Sequence, residues 1–226
     1  MELTPRLQAV AHQVPQGAVF ADIGTDHAYL PTWLLLNGRI KSAIAADLRE
    51  GPLNRARETA EHYGVADAVS FRLCNGLADL APHEVDTVAI AGMGGETIAA
   101  ILEAAPWTKE GTLLLLQPMT SFSDLRLWLQ QNGYSIKREI ISKEGKRLYS
   151  CLVAMGGVME PLSPAELWVG KQNDDPLRGE FLSFMAAKIE RALNGQLAAA
   201  APDEEEIKSL RSILDGIRNM EGDLEQ

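Results

Sequence analysis

The chain has 226 residues, 46% of them hydrophobic and 23% charged, the balance of a soluble globular protein with room for one large domain or a domain and an appendage. No run of 18 apolar residues offers a membrane helix, the N-terminus lacks an apolar signal core, and two cysteines, Cys74 and Cys151, build neither a disulfide framework nor a four-cysteine metal site, so a cytoplasmic protein with buried thiols and no metal is expected. The net charge of −10 argues against a chain that wraps nucleic acid over its whole surface, but the charge is uneven: residues 1–158 carry −3 and residues 159–226 carry −7, with acidic clusters at 203–206 and 221–225, whereas residues 126–147 carry +4 and allow a local basic face.

Residues 4–14 read as a helix, with Thr4 as N-cap and Pro5 at its first position. A strand over 18–23 ends in Gly24, and a helix over 28–37 is closed by Asn37-Gly38. Strand 42–47, helix 52–63 and strand 69–74 follow. Strand 86–91 leads into Gly92-Met93-Gly94-Gly95 and a helix to about Ala104. Strand 112–116 is ended by Gln117-Pro118, and helix 123–132 by Asn132-Gly133. Runs 134–142 and 147–155, joined by Lys143-Glu144-Gly145-Lys146, form a hairpin signal.

Strands that alternate with helices imply a mostly parallel sheet covered on both faces, and strands apolar throughout agree with burial from both sides. The expected fold class is α/β: a Rossmann-like sheet of seven strands with a terminal antiparallel hairpin, which resembles the sheet of class I methyltransferases. Gly156-Gly157, Pro161 and Pro164 mark a linker, so the expected domains are residues 1–158 and 159–226. In the second, Leu177, Phe181, Phe184, Met185, Ile189 and Leu193 form one apolar stripe, and Ile207, Leu210, Ile213, Leu214, Ile217 and Met220 another. Two such stripes pair as a helical hairpin resembling a coiled coil, with Pro176 interrupting the first arm.

In an open parallel sheet, ligands sit at the carboxyl ends of the strands, where strand order reverses. Four junctions fall there. The first is Asp22-Ile23-Gly24-Thr25-Asp26-His27-Ala28-Tyr29. Its single glycine and two carboxylates do not suit a pyrophosphate, which wants G-x-G-x-x-G; they suit a ligand with an ammonium and a sulfonium, S-adenosylmethionine. The second is Asp47, 23 residues after Gly24 and followed by Leu48; an acid there accepts the two hydroxyls of an adenosine ribose. The third is Asn75-Gly76, where the Asn carbonyl can hold the adenine amine. The fourth is Ala91-Gly92-Met93-Gly94, whose glycines let backbone approach a ligand closely.

The runs ADIGTDHAYLP (21–31), IAGMGGETI (90–98) and LLQPM (115–119) resemble the bacterial TrmK family, which methylates ring nitrogen 1 of the adenine at tRNA position 22. The resemblance covers the whole chain. It implies a Rossmann-like methyltransferase domain, S-adenosylmethionine as donor, tRNA as partner and a coiled-coil-like C-terminal domain. The residues support that acceptor independently. The Asn/Asp-Pro-Pro-aromatic motif of exocyclic-amine methylases is absent after the fourth strand, and a ring nitrogen with a free lone pair needs alignment rather than covalent help. The methylated ring gains positive charge, so a carboxylate stabilises the transition state more than the ground state. Asp26 is the expected carboxylate, His27 the group that orients cofactor or base, and Tyr29 a surface for the extruded adenine. Arg6, Lys143, Lys146, Arg147, Lys171, Arg178, Lys188 and Arg191 are the expected phosphate contacts of a monomer. Two other readings stay open: a class I methyltransferase acting on another RNA or a small molecule, and an inactive, cofactor-binding RNA adaptor.

Overall fold

The first five apolar runs become parallel strands in a computed structural model of the chain, which describes residues 1–224; Glu225 of the second acidic cluster lies outside them. The strands are β1 (Phe20–Ile23), β2 (Ala43–Asp47), β3 (Val69–Leu73), β4 (Thr87–Gly94), β5 (Leu113–Thr120), β6 (Tyr134–Glu144) and β7 (Arg147–Gly156). They form one sheet in the order β3-β2-β1-β4-β5-β7-β6, with β7 antiparallel to both its neighbours. Strand order therefore reverses between β1 and β4, and their carboxyl ends mark the expected crevice.

Successive residues of each strand point to opposite faces, and helices cover both. On one face Val88, Ile90, Leu114 and Leu116 pack against Ile98 and Leu102 of α4 (Gly95–Glu103) and Leu125 and Leu129 of α5 (Phe122–Gln131). On the other, Phe20, Ala89 and Leu115 meet Val10 of α1 (Pro5–Gln13) and Leu30 and Leu34 of α2 (Tyr29–Leu36), while α3 (Glu50–His62) packs Ala56 and Ala60 beside Ala45. Thr4 caps α1 as expected, its hydroxyl accepting the Leu7 amide. Both cysteines are buried free thiols, and burial pushes Cys151 up to about 12.

Two strands run further than the sequence suggests. β4 continues through Gly92 and Met93 to Gly94, and β5 through Pro118 to Thr120, with Met93 opposite Pro118. Proline has no N–H to give to a ladder, so a strand accepts it where pairing is already irregular. The β4–β5 register shifts on both sides of Met93, and Gly92 supplies a φ of +83° there.

The C-terminal part opens with α6 (Pro164–Val169), held by a reciprocal Ser163–Glu166 capping box. Residues 170–177, with Pro176 among them, interrupt the first arm as expected before α7 (Arg178–Leu197), and α8 (Glu204–Leu224) returns along it. Phe181, Met185, Ile189 and Leu193 bury against Ile207, Leu210, Leu214 and Ile217, and Ile141 and Leu148 of the sheet hairpin join the same cluster. No described helix is long and apolar enough to cross a membrane.

Candidate active site

The crevice exists where strand order reverses. A cleft of about 310 Å³ is lined by Gly24 from β1's end, Asp47, Leu48 and Arg49 after β2, Asn75 and Gly76 after β3, and Met93, Thr97 and Ile101 from β4 and α4. Gly24, Asp47, Leu48, Asn75, Gly76 and Met93 are thus gathered at one place. Two glycines keep it open. A Cβ on Gly24, whose φ is +75°, would fall 1.9 Å from the Met93 methyl, and one on Gly76 would lie 2.9 Å from Ile101.

Asp47 is almost buried, and its Oδ1 accepts the Arg49 amide at 2.8 Å. Among the described residues no donor is recorded for Oδ2. An acceptor oxygen at a strand end beside an apolar wall suits a ribose and its base. Thr25 beside it is buried, and its hydroxyl lies toward the Asp22 carboxyl.

Asp22 does not line this cleft. It is buried beneath the loop, and burial raises its carboxyl from the usual range to about 6; the Thr25 hydroxyl and the Arg6 charge pull it down, while Asp47 adds to the rise. The loop itself is strained. His27 and Ala28 follow one another in the left-handed region, at φ 65° and 48°, where non-glycine residues cost about 1–3 kcal/mol each. Asp26 is not among the residues that line the cleft; it is 63% exposed, with Oδ1 2.8 Å from Arg55. The His27 and Tyr29 rings stack in parallel at 5.0 Å, and neither of them lines the cleft.

The wall beyond β4 holds residues that sequence reasoning either missed or placed elsewhere. Arg6 donates to Gln117 Oε1 at 2.9 Å, and the Gln117 amide returns a bond to the Arg6 carbonyl. A Cβ on Gly92 would sit 3.6 Å from the Arg6 guanidinium, which also lies 6.0 Å from the centre of the Tyr149 ring. Ala91 is only partly exposed at this wall. Gln117 is a fully buried polar residue in an apolar strand; that contrast was the available signal, although the sequence reads it merely as a strand end.

One expected phosphate contact, Arg178, and one cation counted in the local basic face, Arg126, need correction. Arg178 is 2% exposed and donates to the carbonyls of Val169 and Gly170, so its guanidinium is committed to the fold. Arg126, counted in the basic face, is fully buried and makes a two-point pair with Glu139. The remaining cations are exposed: Lys146 at the hairpin turn, Lys171 after α6, Arg147, Lys188 and Arg191, with Lys143 paired to Glu180. Among the described residues, no group of three or more His, Cys, Asp and Glu is placed to hold a metal ion.

A family described as "Methyltransferase domain" matches residues 3–152. The tRNA (adenine(22)-N(1))-methyltransferase of Bacillus subtilis is 41% identical over 158 residues, taking in 70% of this chain and 66% of that protein. The solved structure of the B. subtilis m1A22 tRNA methyltransferase TrmK superposes with a TM-score of 0.84 at 31% identity, covering 97% of this chain and 99% of the other. A Streptococcus pneumoniae protein described as a candidate tRNA (m1A22) methyltransferase, solved with S-adenosyl-L-methionine, gives 0.84 at 36% identity over 97% of this chain and all of its own.

Proposed function

The chain belongs to the methyltransferase-domain family and, within it, to the TrmK family, and on that premise we propose that it transfers a methyl group from S-adenosylmethionine to ring nitrogen 1 of the adenine at tRNA position 22. The observation that carries this reading is the cleft at the carboxyl ends of β1, β2 and β4, with the Asp47 carboxylate in its wall beside Gly24, Leu48, Asn75 and Gly76. The bound donor supplies an electrophilic methyl on a sulfonium. Asp47 accepts the ribose hydroxyls, Leu48 and Ile101 flank the adenine ring, and the Asn75 carbonyl takes its amine. Asp22, with Thr25 beside it, supplies negative charge toward the donor's ammonium. The work left to the protein is to align the acceptor nitrogen and exclude water.

The mouth is where the acceptor base enters. His27 and Tyr29 provide a stacking surface, and Arg6, anchored by Gln117, faces it from the β5 side. Asp26 is the exposed carboxylate of the same loop, and it is partly compensated by Arg55. Residues 1–158 then carry the transfer, and residues 159–226 extend the surface toward the RNA. A tRNA substrate accords with the cytoplasm.

A tritiated methyl-transfer assay on total unmodified tRNA, with the product nucleoside mapped, tests the reading. The expected product is N1-methyladenine at position 22. Label in another RNA or a small molecule, or cofactor binding without any transfer, would replace this function by one of the two rivals.

Asp47→Ala is expected to weaken S-adenosylmethionine binding by about 1–3 kcal/mol, the scale of a lost hydrogen bond to a charged partner. Wild-type affinity by calorimetry in the folded variant would remove Asp47 from the ribose role. Asp26→Asn keeps the loop's shape and removes its charge, and turnover is expected to fall more than cofactor affinity. Equal losses in the two would make Asp26 a holder of the donor instead.

A further inference from the structure

A second cavity opens on the same edge of the sheet, between the start of β7, the start of α5 and one face of α7. It measures about 400 Å³, and its walls carry four aromatic rings, Phe122, Tyr149, Phe181 and Phe184, and three cations, Arg147, Lys188 and Arg191, over a floor of leucine and methionine. Among the described residues, no carboxylate lines it. None of the three cations forms an ion pair among the described residues. Lys188 instead lies over two π faces, with its Nζ 5.4 Å from the centre of Phe122 and 5.9 Å from that of Trp168. Glu180, one turn before Phe184, is occupied by Lys143.

Phe184 is the unusual member. Its neighbours Phe181 and Met185 are buried and hold α7 in place, whereas Phe184 keeps 39% of its surface exposed. A bulky ring left open between unpaired cations, on a chain of net charge −10, fits a ligand that is anionic and has a flat apolar face. A nucleotide has both, because base stacking on aromatic rings and phosphate attraction to Lys and Arg act together.

The position narrows the choice further. Tyr149 lines this cavity and also faces the Arg6 guanidinium, which in turn reaches Gln117 and the backbone at Gly92. The cavity therefore adjoins the wall where the acceptor base is read to enter. An enzyme that draws one base out of its stack leaves a neighbour without a stacking partner. We propose that this cavity binds an unpaired nucleotide of the tRNA next to the target adenine, with its base on Phe184 and its phosphate among Arg147, Lys188 and Arg191. This rests on the tRNA reading given above.

The test uses the full-length protein and the variants Phe184→Ala, Phe184→Leu and Arg191→Glu. Three quantities are read: tRNA affinity by gel shift across a salt series, KM and kcat for tRNA methylation, and cofactor affinity by calorimetry. Both Phe184 variants are expected to raise the tRNA Kd and KM roughly tenfold, the range of one lost stacking contact, with the salt slope unchanged. Arg191→Glu is expected to weaken tRNA binding and to flatten the slope by about one counterion or more. All three keep wild-type cofactor affinity. Recovery in Phe184→Leu would mean that the ring only fills space, and would overturn the stacking role. Wild-type protein that methylates tRNA, beside variants with unaltered Kd and KM, overturns the cavity alone. Wild-type protein that binds the cofactor and neither binds nor methylates tRNA overturns the cavity and the function together.

Discussion

Arg126→Ala is expected to lower the unfolding free energy by about 3–5 kcal/mol, the cost of leaving one partner of a buried ion pair uncompensated. The guanidinium is fully buried and donates to both oxygens of Glu139, at 3.0 and 2.6 Å. It also donates to the backbone carbonyls of Leu167 and Trp168 at 3.1 and 3.2 Å, and Ser150 donates to the same carboxylate at 2.9 Å. One side chain of α5 thus satisfies acceptors on β6 and α6 at once. Truncation would strand a carboxylate with only 8% of its side chain exposed and two carbonyls near it. For a chain of this size the loss corresponds to a fall in Tm of roughly 10 °C. Urea unfolding with an unchanged m-value would read it. The double variant Arg126→Met with Glu139→Met should recover most of the loss, because an apolar pair of similar volume carries no buried charge. A cost under about 1 kcal/mol for Arg126→Ala would mean that water replaces the guanidinium.

The same network changes how the C-terminal helices have to be probed. Residues 1–158 look separable in the sequence, since a glycine pair and two prolines mark the joint. In the structure Arg126 uses carbonyls of α6, and Ile141 and Leu148 of the sheet hairpin lie in the helical cluster. Removing residues 159–226 would expose that apolar surface and strip Arg126 of two acceptors. Lost methylation in such a truncation would report unfolding as readily as lost RNA contact. Point variants on the exposed face of α7 avoid this, because Phe184 and Arg191 support no buried polar group.

What could be read from the sequence followed from local rules repeated on successive elements. Gly24, Asp47, Asn75 and Met93 line one cleft because each follows an apolar run, and parallel order brings such ends to one edge. The sheet and its antiparallel edge followed from apolar strands, intervening helices and a hairpin signal. The misplaced residues are those whose partner lies far along the chain. A count of charges over 126–147 cannot tell that Arg126 is spent on Glu139, nor that Arg178 caps the end of α6. Phe184 obeys the same helical spacing as Phe181 and Met185, so periodicity assigns it to the core, and only the shape of the neighbouring hairpin leaves it open. Pro118 signals a stop, and the irregular pairing beside Gly92 that admits it into β5 is a property of two strands together.

Cofactor affinity is expected to fall as pH drops through about 6, and Asp22 is the reason. In the free protein burial raises its carboxyl to about 6 from the ordinary aspartate value of 3.8. Above pH 6 the group is ionised in folded and unfolded chains alike, and the folded state bears the cost of the buried charge. Between about pH 6 and 4 the folded state takes up a proton that the unfolded state does not, so the penalty shrinks as pH falls and is gone below the unfolded value. Two pH units correspond to about 3 kcal/mol at most. A ligand that brings an ammonium to Asp22 binds its ionised form, so it competes with that proton. Affinity should be flat above pH 7 and weaken toward tenfold per unit below 6. Asp22→Asn removes the buried charge without changing shape. It should raise the stability of the free protein at pH 7, by up to about 3 kcal/mol, weaken cofactor binding at pH 8, and abolish the acid limb of the affinity profile. Calorimetry from pH 5 to 8 on both proteins separates these effects. A wild-type profile flat across that range would place the ammonium away from Asp22, and a raised stability in Asp22→Asn without any change in affinity would make Asp22 a cost of the fold alone.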